Sequence, residues 1–264
     1  MKLIRRILFL ALALLITIPA GSRAADDKNI IIGVTPFPHA EIVKIAAPLL
    51  EKEGYRLEIK EFNDYVTPNI ALNDGSLTAN FFQHVPYLDD QVKNQKYDIA
   101  WIAKVHIEPL GIYSKKVKAV ADIADGATIA VPNDPTNNAR ALRVLEKAGL
   151  IKVKAGELVT ARDITENPKN IKIVELEAAQ LPRTLDDTDA SVINTNFAVE
   201  AGLIPAKDAI AIEDKESPYA NVLVVRKADI DKPAIKALAS ALNSPEVKAY
   251  IETELTPKGI VAAF

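Results

Sequence analysis

Few side chains in this sequence could do covalent or metal chemistry, and their spacing does not favour it. The three histidines, His39, His84 and His106, are far apart, with no His-x-His or His-Glu-x-x-His spacing. A metal site from them would have to be assembled by folding alone. There is no Gly-x-Ser-x-Gly elbow, phosphate-binding glycine loop or dinucleotide fingerprint. Nor is there a cysteine to serve as nucleophile or thiolate ligand. Asp89-Asp90 and Asp186-Asp187 are paired acids, but adjacent helical residues do not face one another, so they read as solvated faces. With no nucleophile–base pair to place, the expectation is a protein that is not an enzyme and needs no cofactor or metal.

The chemistry that remains is recognition. The stretch Phe81-Phe82-Gln83-His84-Val85-Pro86-Tyr87-Leu88-Asp89-Asp90 follows an apolar run from Leu77 that reads as a strand. Pro86 sits where the first turn of a helix should begin. Two phenylalanines, a histidine and a tyrosine thus gather at the carboxyl end of a strand, where ligands bind in open α/β sheets. Alternation commits one of the phenylalanines to the core, and the other is free to wall a pocket. In Val131-Pro132-Asn133-Asp134-Pro135-Thr136-Asn137-Asn138-Ala139-Arg140, the asparagines open a helix and Arg140 falls in its first turn. A cation is unfavourable there unless it meets a negative group, and a guanidinium grips carboxylate in bidentate fashion. A surface arginine bonded to a neighbour such as Asp134 is the plainer alternative. Asn194 ends another strand, and Asn221 lies near the start of the last one. Asparagine both donates and accepts, so it serves either end of a zwitterion, although each alone also fits a turn or cap. Together these residues describe an aromatic-walled pocket facing polar Arg and Asn groups, suited to a zwitterion with an apolar side chain.

Alternating elements position these groups. Asn29–Val34 is a continuously apolar strand, a helix follows from about Ala40 to Gly54, and Leu57–Phe62 is the next strand. This β-α-β opening implies a right-handed parallel crossover. Thr67-Pro68 reads as the N-cap and first position of a short helix. Strands are expected at Leu77–Phe82, Asp98–Ile107, Ala127–Val131, Ile171–Leu176, Ala190–Ile193 and Ala220–Val225, with helices between them and from Pro233 onward. The pattern is that of an α/β protein with parallel sheets.

The chain has 264 residues, enough for one large domain or two lobes. Its first 24 residues read as a secretory signal peptide. Lys2, Arg5 and Arg6 precede the apolar run Ile7–Ala20, and Ser22-Arg23-Ala24 gives a cleavage site. Cleavage removes four positive charges (Lys2, Arg5, Arg6, Arg23) and no negative ones, taking the formal charge from −3 to −7. An acidic mature chain argues against nucleic acid and against an anionic membrane surface as partners. Without cysteine, the expected product is soluble and periplasmic, cut near Ala24, with no lipid-anchor cysteine.

Several segments together resemble the methionine-binding proteins of ABC importers, the MetQ/NlpA family. They are Thr35–Ile42 (T-P-x-P-H-A-E-I), Phe62–Tyr65 (F-N-D-Y), Phe82–Leu88 (F-Q-H-x-P-Y-L), Val131–Asn137 (V-P-N-D-P-T-N) with Arg140, Glu166–Asn170 (E-N-P-K-N), Leu181–Asp187 (L-P-R-x-L-D-D), Val192–Thr195 (V-I-N-T) and Glu213–Tyr219 (E-D-K-E-S-P-Y). The match spans essentially the mature chain. It implies a type II-like periplasmic-binding-protein fold, two lobes each with a mostly parallel sheet flanked by helices, hinged by two crossover strands. Residues 25–109 and 226–264 would form lobe 1, and 110–225 lobe 2.

The resemblance implies that Tyr65, Phe82, His84 and Tyr87 enclose the thioether, that Arg140 holds the α-carboxylate, and that Asn194 and Asn221 take the polar end. It implies methionine as ligand, L- or D-, an inner-membrane ABC permease with its ATPase as partner, and a monomer. Alternatives are another apolar amino acid, a methionine-containing dipeptide, or a metal held by His39, His84 and His106. The chain departs from the family pattern in lacking the usual lipoprotein cysteine and in placing Asn138-Ala139 where glycine is common.

Overall fold

A computed structural model describes residues 28–214 and 217–264, so the expected signal peptide lies outside the described residues. Strand β1 (Asn29–Val34) buries Ile30, Ile32 and Val34 completely and leads through a proline-rich turn into helix α1 (Glu41–Lys52). Next come β2 (Arg56–Glu61), the short α2 (Thr67–Asn73), β3 (Ala79–His84), α3 (Val85–Gln95) and β4 (Ile99–Ile107). The start of α2 is held by Asp64, whose carboxylate accepts from the Val66 and Thr67 N–H groups at 2.7 Å. Thr67, expected as the cap, is therefore already inside the helix. After β4 the chain leaves for a second sheet through Glu108-Pro109-Leu110.

That sheet is built from β5 (Gly111–Tyr113), β6 (Thr128–Pro132), the helix α4 (Pro135–Lys147), β7 (Lys152–Val153), β8 (Ile164–Glu166), β9 (Lys172–Leu176), β10 (Ala190–Ile193), the short helices α5 (Thr195–Glu200) and α6 (Pro205–Asp208), and β11 (Ala211–Ile212). Of these, β7 and β8 pair separately as a two-stranded ribbon. The chain then returns to the first sheet as β12 (Ala220–Arg226), followed by α7 (Pro233–Leu242), α8 (Pro245–Tyr250) and β13 (Val261–Ala262). Among the described residues no helix is long and apolar enough to cross a membrane.

The fold is two-lobed. The first sheet has the order β13-β4-β12-β3-β1-β2 and the second β11-β5-β10-β6-β9. Three neighbouring strands are parallel in each, β3-β1-β2 and β10-β6-β9. The remainder pair antiparallel, β12 with both β3 and β4 and β5 with β10, so the sheets are mixed. The expected 225/226 boundary falls inside β12, which belongs wholly to the first sheet. The reason is chemical. Leu223 and Val225 join the core under α1 and α7, while Val222 and Val224 pack against Leu72, Leu77 and Leu88 on the opposite face. A strand apolar on both faces is central by necessity. The second crossing therefore lies between β11 and β12.

The end of β3 is shaped by a bulge. Val222 of β12 pairs with Gln83 and Leu223 with Phe81, leaving Phe82 without a partner. An extra residue bends the strand and re-aims side chains. It also puts Asn80 and Gln83 on the same side, which a regular pleat would forbid. Their amides join Asn69 of α2 in a fully buried network. Asn69 Nδ2 donates to Gln83 Oε1 (2.9 Å), and Asn69 Oδ1 accepts from Asn80 Nδ2 (2.8 Å) and Gln83 Nε2 (2.6 Å). Replacing Asn69 with Leu strands these partners in an apolar core, and denaturant unfolding is expected to show a loss of about 2–3 kcal/mol. A loss below about 0.5 kcal/mol would mean the bulge stands without the network.

Candidate functional site

Between the lobes lies a cavity. Tyr65, Phe82, His84, Tyr87, Arg140, Asn194 and Asn221 all line it. Phe81, by contrast, is core, its ring against His39 and His106. The apolar wall consists of Phe82 and Tyr87 from the β3–α3 corner and Tyr65 from the segment before α2. Ring centroids are 6.0 Å apart for Tyr65–Phe82 and Tyr65–Tyr87, and 6.2 Å for Phe82–Tyr87. Phe197 of α5 adds a fourth ring 5.1 Å from Tyr65. The wall is pinned at its polar tips. Tyr87 Oη donates to the Tyr65 carbonyl (2.8 Å), and Tyr65 Oη donates across the cleft to Asn196 Oδ1 (2.5 Å).

His84 ends β3 and caps α3 by accepting the Tyr87 main-chain N–H on Nδ1 (3.1 Å). Its Nε2 is 3.1 Å from Asn137 Oδ1 of the second lobe. Asp134, the N-cap of α4, accepts from Asn137 N and also from Asn137 Nδ2. Burial raises the Asp134 carboxyl, and these bonds pull it part of the way back.

Arg140 is buried and reaches both crossing segments. Nε donates to the Glu213 carboxylate at 3.1 and 3.2 Å, and Nη2 donates to Glu213 and to the Glu108 carbonyl (2.7 Å). The guanidinium carbon stacks 4.0 Å from the Tyr219 ring centroid. Arg140 is thus not at the surface, but like the plainer alternative it does pair with a carboxylate of the chain itself, Glu213 in place of Asp134.

Glu108, which sequence reasoning missed, is a second carboxylate in the cavity wall. It sits just past β4, a carboxyl-end position like that of Asn194, and this was the signal available. Its Oε1 accepts from His106 Nε2 (2.8 Å) and lies 3.5 Å from His39 Nε2. His39 in turn bonds Thr35 Oγ1 through Nδ1 (2.7 Å) and Asn221 Oδ1 through Nε2 (3.1 Å). Burial pushes the Glu108 carboxyl up, while His39, Arg140 and the Asn196 main-chain N–H act against that shift. The three histidines do not converge on one point. His39 and His106 meet at Glu108, with ligand-type atoms all within 4.8 Å, whereas His84 faces Asn137. The three-histidine metal site is thereby corrected to a hydrogen-bonded His–Glu cluster and a separate cap. Two buried polar atoms in the cavity wall have no partner among the described residues, the acceptor Asn194 Oδ1 and the donor Asn196 Nδ2.

Burial holds His39 at about 4 and His84 and His106 at about 3, against an ordinary 6.5. The unfolded chain therefore binds protons first as pH falls. Their contribution is fully present above about pH 6.5 and is lost as pH falls to about 4 for His39 and to about 3 for His84 and His106, at up to about 1.4 kcal/mol per pH unit for each. The raised carboxyls of Glu108 and Asp134 offset part of this. Thermal unfolding is expected to show a lower Tm at pH 5 than at pH 7.5, with a shallower slope in His84→Gln. A flat or rising Tm on acidification would contradict neutral buried histidines.

Comparison with known proteins identifies the family. The NlpA lipoprotein family matches residues 30–264. A Vibrio cholerae relative named as a probable D-methionine-binding lipoprotein, MetQ, is 46% identical over 95% of this chain and 94% of its own length. The structure of a nutrient-binding protein from Burkholderia cenocepacia, bound to methionine, superposes with a TM-score of 0.86 at 50% identity, covering 89% of this chain and all of that one. An ABC transporter periplasmic substrate-binding protein from Coxiella burnetii gives 0.85 at 46% identity, again over 89% of this chain and all of that one. The relatives' names also correct one expectation. They are lipoproteins, a class anchored by lipid at a cysteine, so the reading of a soluble chain without an anchor is withdrawn. On a match over nearly all of its described length, the chain belongs to the NlpA lipoprotein family.

Proposed function

We propose that this chain is an extracytoplasmic substrate-binding protein that closes its lobes around methionine and delivers it to an ABC importer, acting as a monomer without catalysis. The observation that carries this reading is the division of the cavity. Aromatic rings from Tyr65, Phe82 and Tyr87 wall one part, while Arg140, Glu108, Asn194 and Asn221 supply both signs of charge and both hydrogen-bonding senses. An amino acid with an unbranched apolar side chain matches that division. Burying the methionine side chain is worth about 1.5–3 kcal/mol, sulfur against the rings adds about 0.3–1.5, and each charge-assisted hydrogen bond adds about 1.5–3.

Arg140 would hold the α-carboxylate through Nη1, which takes no hydrogen bond among the described residues. Glu108 would face the ammonium. Closure would pivot on the two crossings, from β4 to β5 and from β11 to β12, and a permease would read the closed state. The relatives named for methionine binding support the ligand, and the Coxiella burnetii neighbour supports the transporter.

Calorimetry on refolded, ligand-stripped protein tests the ligand, with L-methionine, D-methionine, Gly-Met, leucine and zinc compared. Binding of at least one methionine enantiomer, well above leucine, is expected. A response to Gly-Met or leucine alone would replace the cargo. In the same assay Arg140→Ala should lose about a hundredfold or more in methionine affinity, and Arg140→Lys should fall between. Affinity within about threefold of the parent in Arg140→Ala would remove the carboxylate role.

A further inference from the structure

The polarity of the site follows from one main-chain group and one carboxylate. A main-chain N–H can only donate, so the Tyr87 N–H on His84 Nδ1 makes that nitrogen an acceptor and leaves the ring proton on Nε2. Nε2–H must then donate to Asn137, which presents Oδ1 at 3.1 Å. The other end of Asn137 agrees independently. Its Nδ2 lies 3.1 and 3.0 Å from the two carboxylate oxygens of Asp134, where an amide oxygen would be repelled. With Asn137 Oδ1 fixed as an acceptor, the group approaching it from Asn194 must be Nδ2, at 2.9 Å. The remaining atom, Asn194 Oδ1, is a buried acceptor with no partner among the described residues, in the wall of the cavity.

We infer that Asn137 is a positioning residue that locks Asn194 as a hydrogen-bond acceptor for the ammonium of the ligand, a reading that rests on the zwitterionic ligand proposed above. The Asp134–Asn137–Asn194 relay lies within the second lobe, so the acceptor is oriented before closure. His84 comes from the first lobe and completes the relay as the lobes meet. Asn194 can serve either end of a zwitterion in principle, but this arrangement assigns it to one. Burial makes the assignment consequential, because an unpaired acceptor rejects any ligand that brings no donor to it.

The test compares methionine with its des-amino analogue, which keeps the carboxylate and thioether but has no ammonium. In Asn137→Leu the Asn194 amide is released. Methionine affinity is expected to fall about tenfold to a hundredfold, while the affinity of the des-amino analogue stays within about threefold, so the ratio between them collapses. Equal losses for both ligands would assign Asn137 a structural role only and overturn the relay. No binding of methionine by the parent protein would instead overturn the ligand reading on which the relay depends. Should Asn137→Leu fail to fold, the tautomer of His84 in the parent, read by long-range nitrogen–proton NMR at neutral pH, decides the matter. A proton on Nε2 supports the relay, and a proton on Nδ1 overturns it.

Discussion

The arrangement depends on a buried guanidinium. Arg140 reaches Glu213 on one crossing segment and the Glu108 carbonyl on the other, so one side chain ties together both routes by which the chain passes between the sheets. Isolated, that charge would cost several kcal/mol in a desolvated position. Glu213 neutralises it, the Glu108 carbonyl satisfies a further donor, and the Tyr219 ring stacks on its face. Glu213 also accepts from the Leu110 N–H at 3.3 Å, and its own N–H donates to the Leu110 carbonyl at 2.8 Å, so the two crossings are joined to each other as well. The cavity forms where these compensations meet, and its polar wall is built partly from the groups that compensate.

The same constraint explains the histidines. In water each would be a weak base near 6.5, but burial makes the charged form too costly, and neutral imidazole is a directional part with one donor and one acceptor nitrogen. His84 uses the pair to join a helix cap to the opposite lobe. His39 uses it to join Thr35 to Asn221, and His106 places its Nε2 on Glu108. Tautomers and amide orientations that are free in solution become fixed, because each alternative would leave like groups facing one another in a low dielectric. A small cavity with both signs of charge needs this kind of fixing, since a freely rotating amide would accept either end of a ligand.

Much of this was legible in the sequence where the signal was local. Pro86 after an apolar run marks the β3–α3 corner, whereas the helix expected to open at Asn137 is capped by Asp134 and starts at Pro135, which puts Arg140 in its second turn and not its first. Strand β10 was bounded correctly by its apolar run. What was not legible depends on pairing between distant segments. Strand β12 reads the same in isolation whether it closes the second lobe or returns to the first, and its two apolar faces find partners only in the cores beside α1 and α2. The bulge that leaves Phe82 unpaired is a matter of register with β12, so alternation could say that one phenylalanine is core without showing what frees the other. Glu108 was missed because a lone glutamate before a proline has no pattern. Its meaning comes from His106 two residues earlier and from His39 far upstream.

The division of labour between the lobes also bears on how a ligand would be captured. The aromatic wall comes mainly from the first lobe, and Arg140, Asn137 and Asn194 come from the second, so neither lobe alone matches an amphipathic amino acid. Contacts across the cleft already exist between Tyr65 and Asn196 and between His84 and Asn137. A ligand need add only the difference between its affinities for the closed and open forms to shift that balance. The unpartnered Asn194 Oδ1 and Asn196 Nδ2 fit this economy. Each is a polar group whose desolvation cost is met when a zwitterion supplies the missing partner, so closure around the right molecule relieves a penalty that closure on an apolar molecule would leave in place.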